Sequence, residues 1–308
     1  MERKLKVILN PMADMGNAWR VANDLRPILQ EHGGFDWSGT VYPTHATELA
    51  KQAGEQGYDM VIAMGGDGTV HEVVNGLMQV PPERRPSLGV VPVGSGNDFA
   101  HAIGIPDQAD QALVQALTGS ATSLDVGLLV DEHGRKEYFD NTLGIGFDAV
   151  VTIRSHRLPF LRGFLMYLTA VIQTIILNHK PVGMTIDVDA ERIQQRNLLL
   201  TICNGPREGG GFLVAPEAKV DDGVFHYVMI RELSRLMMLR LVPEVMKGTH
   251  GRFKQVASGT CRKLTVRGDA PMYIHADGEI FTSFGSDLRS VTLEIIPGGL
   301  QVVRGQAL

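Results

Sequence analysis

Cysteine is nearly missing: Cys203 and Cys261 are the only two in 308 residues. Two thiols cannot build a disulfide framework or a four-thiolate zinc site, and this points to a reducing cytosol. The ten histidines lack His-x-x-x-His or Cys/His spacing, so no histidine metal cluster is expected. His250 reads as structural and Cys203 as plain core. There is no G-x-G-x-x-G dinucleotide pattern, no G-x-x-x-x-G-K-[ST] phosphate loop and no protein-kinase signature. Internal repeats, low-complexity segments and long linkers are missing too. The net charge of −5 argues against a general nucleic-acid binder, so no nucleic-acid partner is expected. Met1 to Lys6 are charged and run straight into a strand-like stretch, so no secretory signal is expected. The longest apolar stretch, Leu158–Leu177, contains Pro159, Arg162, Gly163 and Gln173, which are costly in a bilayer core. It is expected to be a buried or half-buried helix, with no transmembrane segment.

What is present describes a folded chain: 44% hydrophobic and 20% charged residues. Charge is uneven. Residues 1–125 hold 8 Lys/Arg against 15 Asp/Glu, and residues 126–308 hold 21 against 19. The second part is the better one to approach an anionic surface.

The first part alternates short apolar runs with helical periods. Strands are expected at Leu5–Leu9, Ser38–Tyr42, Asp59–Met64 and Leu88–Val93. Helices are expected at Ala18–His32 (stopped by Gly33-Gly34), Ala46–Gln56, Val70–Met78 and Asn97–Ile103. Such alternation implies a parallel sheet covered on both faces, with ligands beyond the carboxyl ends of its strands. After Asp125 strands dominate: Val126–Val130, Met184–Val188, Asn197–Asn204, Val224–Ile230, Lys263–Arg267, Met272–Ala276 and Val291–Ile296. Helical patterns are read only at Phe160–Asn178 and Glu232–Lys247. A sandwich or antiparallel layer follows.

Two glycine turns fall at the carboxyl ends of strands. Gly65-Gly66-Asp67-Gly68-Thr69 lets backbone N–H groups approach a bulky anion, and the next helix adds its positive end. Asp67 beside phosphates needs a divalent cation or a proton between them. Alternatively, Asp67 only caps the helix. Gly94-Ser95-Gly96-Asn97-Asp98-Phe99-Ala100 repeats the design one strand later.

With Glu72-Val73 and Asn75-Gly76 added, these turns resemble the diacylglycerol kinase catalytic-domain family, which includes bacterial soluble lipid kinases and sphingosine kinases. Further matches run in order: Asn10-Pro11 with Gly16, Asp125-Val126-Gly127, Asn141 through Gly144-Ile145-Gly146-Phe147, Ala215-Pro216 with Asp222-Gly223, and Asp277-Gly278-Glu279. The resemblance spans residues 10–279, although Gly-Gly-Asp-Gly-Thr alone is shared with NAD kinases. It implies an α/β nucleotide-binding domain with a parallel sheet (1–125), a C-terminal β-sandwich domain (126–308) and an interdomain cleft. A C-terminal tail packing back on the first domain is left open. It also implies a Mg²⁺- and ATP-dependent lipid kinase, cytoplasmic and peripheral to the membrane, that phosphorylates a lipid hydroxyl.

By motif position the resemblance implies ATP contacts at Asn10, Thr44, Gly65, Gly66, Asp67, Gly68, Thr69, Val70, His71, Gly94 and Ser95. Departures from the family pattern are Asp14 for a common glycine, His71 for asparagine and Ser95 for threonine. Glu279 matches the family's proton acceptor. Asp67, Asp98 and Asp125 match carboxylates that hold Mg²⁺ with ATP or orient the nucleophile. Read locally, Asp277-Gly278 is also a hairpin turn, and Asp125 a turn at the domain boundary. The Asp222 carboxylate with the carbonyls of Lys219 and Val224 matches a structural loop for Mg²⁺ or Ca²⁺; read locally, Asp222-Gly223 is a β-turn without an ion.

Arg231, Arg235, Arg240, Lys247, Arg252 and Lys254 interleave with leucines and methionines. This basic amphipathic stretch either solvates its charges or meets an anionic membrane, and both readings stay open. So do the acceptor lipid and a homodimeric state. The rival readings are an NAD kinase-like enzyme, disfavoured by Gly94–Ala100 and the Asp222 loop, and a non-catalytic nucleotide or lipid sensor, which the full set of carboxylates does not support.

Overall fold

Leu5–Leu9 opens the chain as β1, and the alternation then follows: α1 (Ala18–Glu31), β2 (Asp36–Gly39), α2 (His45–Glu55), β3 (Met60–Gly65), α3 (Asp67–Leu77), β4 (Ser87–Pro92), α4 (Asp98–Ala102), α5 (Ala109–Thr118) and β5 (Ser120–Asp131). This computed structural model describes residues 3–32, 34–158, 161 and 163–305. Residues 1–126 and 297–308 make one compact unit, and residues 127–296 a second.

In the first unit β4-β3-β1-β2 form a parallel sheet. All six residues of β3 are buried, as expected for a strand covered on both faces. α1 buries Ala18, Ala22, Leu25 and Leu29, one stripe at helical spacing. The second strand sits earlier than Ser38–Tyr42, because β1 ends at Leu9 and its last partner is Gly39. Of the expected helix stop, Gly33 lies outside the described residues. Asp125 is not in a turn: it is a buried residue within β5. Near the chain's end, Val302 pairs in parallel with Leu88 of β4.

The second unit contains β6 (Lys136–Phe139), β7 (Thr142–Gly146), α6 (Phe147–Ser155), α7 (Gly163–Leu177), β8 (Val182–Val188), β9 (Glu191–Cys203), β10 (Phe225–Arg231), α8 (Arg235–Met246), β11 (Val256–Cys261), β12 (Lys263–Gly268), β13 (Ile274–Ala276), β14 (Glu279–Thr282) and the first part of β15 (Ser290–Arg304). Its ladders are antiparallel, in the order β14-β13-β7-β9-β8-β12-β15, with β10 on β9 and β11 on β10. One core centres on Phe139 and Phe225, whose rings stack at 5.4 Å, and a second lies under α6, α7 and α8.

The reading of only two helical stretches after Asp125 is corrected by α6. Eight of its nine residues are buried, and the helical spacing of its polar Asp148, Thr152 and Ser155 is masked by the β-branched run Val150 to Ile153. The apolar run 158–177 yields α7, which buries Ala170, Val171, Thr174 and Ile175. Pro159, Phe160 and Arg162 of that run lie outside the described residues. Among the described residues no helix is long and apolar enough to cross a membrane.

Candidate active site

In the first unit the register of β3 on β4, with Gly65 opposite Pro92, sets the two glycine turns side by side at the carboxyl ends of their strands. A Cβ on Gly94 would lie 2.5 Å from the Gly66 Cα. The same construction on Gly65 would strike Thr69 Oγ1, and on Gly96 it would meet Asp67 Oδ2 at 2.9 Å and Asp98 Oδ2 at 3.6 Å. Two carboxylate oxygens therefore converge on one glycine. Asp67 also accepts the Phe99 N–H at 3.2 Å, tying the first turn to α4. Asp98 is buried.

Asn10 donates through Nδ2 to Thr69 Oγ1 at 3.2 Å. The loop after it runs through left-handed backbone at Asp14 (φ 48°) and Met15 (φ 56°), which explains why glycine suits position 14. Thr44 is exposed, also left-handed, and precedes α2 without a side-chain capping bond. Its N–H and that of Ala46 bind the two carboxylate oxygens of Glu72 at 2.7 and 3.0 Å, so α3 holds the Thr44 loop. Asp125 Oδ1 accepts the Gly298 N–H at 2.8 Å.

In the second unit Asp277 and Gly278 form the turn between β13 and β14, both with positive φ, and exposed Glu279 follows directly. The Asp277 carboxylate accepts backbone N–H groups of Asp140, Asn141 and Thr142 at 3.0, 2.9 and 3.0 Å. The Gly278 N–H donates to His275 Nδ1 at 3.3 Å.

Behind that turn lies a buried polar group. His275 Nε2 stands 3.3 Å from Asp148 Oδ2 and 4.0 Å from Glu208 Oε2. Thr201 donates to Asp148 and Thr142 to Glu208, at 2.9 and 3.0 Å. The Tyr167 hydroxyl reaches Asp148 at 2.9 Å and Glu208 at 3.0 Å, yet has one proton to give. Burial pushes Glu208 well above the usual carboxylate range, and the Asp148 charge adds to this. Burial also raises Asp148, but His275 and hydrogen bonds from Glu208 and Tyr167 outweigh it and hold Asp148 low. The pair thus shares one proton, with Asp148 the anion.

Asp148, Tyr167, Thr201, Glu208 and His250 line a cavity of about 80 Å³ together with apolar side chains such as Phe147, Leu198, Val228 and Met238.

Residues 4–129 match the model of the diacylglycerol kinase catalytic domain, and residues 141–304 match that of the YegS C-terminal NAD kinase beta sandwich-like domain. A diacylglycerol kinase of Mycobacterium tuberculosis is 30% identical over 306 residues, covering 98% of this chain and 95% of that one. The chain belongs to the diacylglycerol kinase family. A Bacillus subtilis diacylglycerol kinase is 30% identical over 261 residues, covering 83% of this chain and 84% of its own length. A crystal structure of a diacylglycerol kinase from Bacillus anthracis superposes with a TM-score of 0.79 at 22% identity, over 99% of this chain and 98% of that one.

Within this diacylglycerol kinase family chain, Asn10, Gly65 to Thr69, Gly94, Asp98 and the exposed Ser95 gather around the paired turns. Val70 and His71 point inward on α3, and the His71 ring lies against Asn75. In the loop of Lys219, Asp222 and Val224, the Asp222 carboxylate accepts the Val224 N–H and lies 3.2 Å from His226 Nε2. Histidine spacing announced no metal cluster, yet the fold brings ligand-type atoms of Asp148, Glu208 and His275 within 4.8 Å of one another. They come from three distant segments, so no local spacing announces them. The only signal is a charged or polar residue inside an apolar run, as at Phe147-Asp148-Ala149 and Ile274-His275-Ala276. Glu72, quoted only as part of a motif, proves to be the residue that anchors the Thr44 loop.

Proposed function

We propose that the protein is an ATP-dependent lipid kinase that transfers the γ-phosphate to a hydroxyl of a membrane lipid, diacylglycerol or a related one. The observation that carries this reading is the contact of the Gly66 and Gly94 backbones. With no side chain on either glycine, phosphates could approach the main chain at the positive end of α3. Asn10, Thr44, Gly65 to His71, Gly94 and Ser95 would line the nucleotide.

Asp67, Asp98 and Asp125 are the residues that would hold Mg²⁺. They are hard oxygen donors, and Asp67 and Asp98 each place a carboxylate oxygen near Gly96. When bound, the ion neutralises phosphate charge. The residues around it fix the nucleotide's direction. Lys219, Asp222 and Val224 would hold a second, structural Mg²⁺ or Ca²⁺.

Glu279 is exposed at the start of β14, directly after the Asp277-Gly278 turn, where a carboxylate can accept the proton that the lipid hydroxyl loses as it attacks phosphorus. The apolar cavity of the second unit supports an apolar tail as part of the substrate. At about 80 Å³ it is smaller than the roughly 150 Å³ that holds one benzene, so a chain entering it would have to part its walls. Leu236, 78% exposed beside Arg235 and Arg240, supports work at a membrane surface.

The test is transfer of labelled phosphate from ATP onto dioleoylglycerol, a sphingoid base, ceramide and phosphatidylglycerol in detergent micelles, with NAD as a further acceptor. Label is expected in one lipid. Label in NAD, or in no acceptor, would overturn the reading.

A further inference from the structure

α6 touches the Glu279 turn from both of its ends. At its first turn it carries Asp148, and at its C-terminal cap His156. Asp148 Oδ2 meets His275 Nε2, and His275 Nδ1 accepts the Gly278 N–H. His156 is exposed, and its Nε2 lies 3.1 Å from the Gly278 carbonyl oxygen. Both polar groups of the Gly278 main chain are thus held through imidazoles, one oriented by Asp148 and the other seated on the helix cap. We infer that α6 is the positioning element for Glu279, acting through His275 on the buried side of the turn and His156 on the exposed side.

Gly144 makes the buried arm possible. It lies opposite His275 in the β7–β13 ladder, and a Cβ there would stand 2.3 Å from both Asp148 Oδ2 and His275 Nε2. The carboxylate and the imidazole meet in the space that the missing side chain leaves. With Nδ1 accepting from Gly278, the proton of a neutral ring belongs on Nε2, which stands 3.3 Å from Asp148 Oδ2 without the alignment of a hydrogen bond. The imidazole thus stands between the Asp148 carboxylate and the Gly278 N–H.

The turn needs this support. Asp277 and Gly278 both occupy left-handed backbone, which a non-glycine residue adopts at a cost, and Asp277 is already held by three N–H donors on its own side. With Gly278 clamped as well, the residue that follows has little freedom. Misplacing a reacting group by about 1 Å can cost on the order of a hundredfold.

This inference rests on the reading of Glu279 as proton acceptor, so the experiment is a double-mutant cycle on the full chain. His156→Ala, His275→Asn and His275→Leu are each made in the wild type and in Glu279→Gln. Transfer from ATP is measured on dioleoylglycerol micelles, or on whichever lipid of the panel above accepts phosphate. His156→Ala, a surface change, should lower kcat roughly tenfold, with the KM for ATP and the melting temperature unchanged. His275→Asn keeps an acceptor near the Nδ1 position and should retain more activity than His275→Leu. In the Glu279→Gln background none of the three should lower the rate further. Equal losses in both backgrounds, or unchanged kcat in His156→Ala, would overturn the positioning role while leaving Glu279 as base. A Glu279→Gln enzyme at wild-type rate would overturn the reading beneath it.

Discussion

Gly66 and Gly94 meet backbone to backbone: a Cβ on Gly94 would fall 2.5 Å from the Gly66 Cα, and one on Gly66 would fall 3.2 Å from the Gly94 Cα. The asymmetry gives a graded expectation. Gly66→Ala should fold and lose affinity for ATP, while Gly94→Ala should lower the melting temperature as well, because it must push main chain away. Gly66→Val should abolish ATP binding in a folded protein. Calorimetric titration with ATP beside melting curves checks this, and unchanged affinity in folded Gly66→Val would remove the assignment.

The first part of the fold was legible because each element is a single amphipathic or fully apolar unit. Leu5–Leu9 was read at its observed limits, and the α1 stripe of Ala18, Ala22, Leu25 and Leu29 has a clean period. α6 was not legible. It is buried nearly all round, and Val150, Val151, Thr152 and Ile153 are β-branched, so a strand-like local preference is overruled by packing. The site divides in the same way. Asp67 and Asp98 lie in contiguous glycine motifs, whereas the Asp148, Glu208 and His275 group exists only after β7, β9 and β13 have paired.

The shared proton makes stability depend on pH. Glu208 keeps its proton in the folded state above 4.5, where the unfolded chain releases it. The folded state therefore binds more protons there, and stability should fall as pH rises above about 4.5, by up to about 1.4 kcal/mol per unit. Asp148 acts oppositely: its contribution is present above 3.8 and is lost as pH falls through its lowered folded value. Glu208→Gln should thus melt a few degrees higher than wild type at pH 8 and flatten the curve between pH 5 and 8. A wild-type melting temperature constant over that range would contradict the proton assignment.

Asp222 already has two partners, the Val224 N–H and His226. If the loop holds Mg²⁺ or Ca²⁺ on a remaining lone pair of Asp222, millimolar EDTA should lower the melting temperature of wild type but not of Asp222→Ala. Equal melting of both proteins with and without EDTA would leave the loop a plain turn.

The central claim is phosphoryl transfer to a lipid hydroxyl with Glu279 accepting the proton, and the most direct measurement compares wild type, Glu279→Gln and Asp67→Asn on the accepting lipid. Glu279→Gln should bind ATP with unchanged affinity and transfer phosphate about 10² to 10⁴ times more slowly, while Asp67→Asn should also change the Mg²⁺ dependence. A folded Glu279→Gln enzyme that phosphorylates the lipid at the wild-type rate would contradict the account.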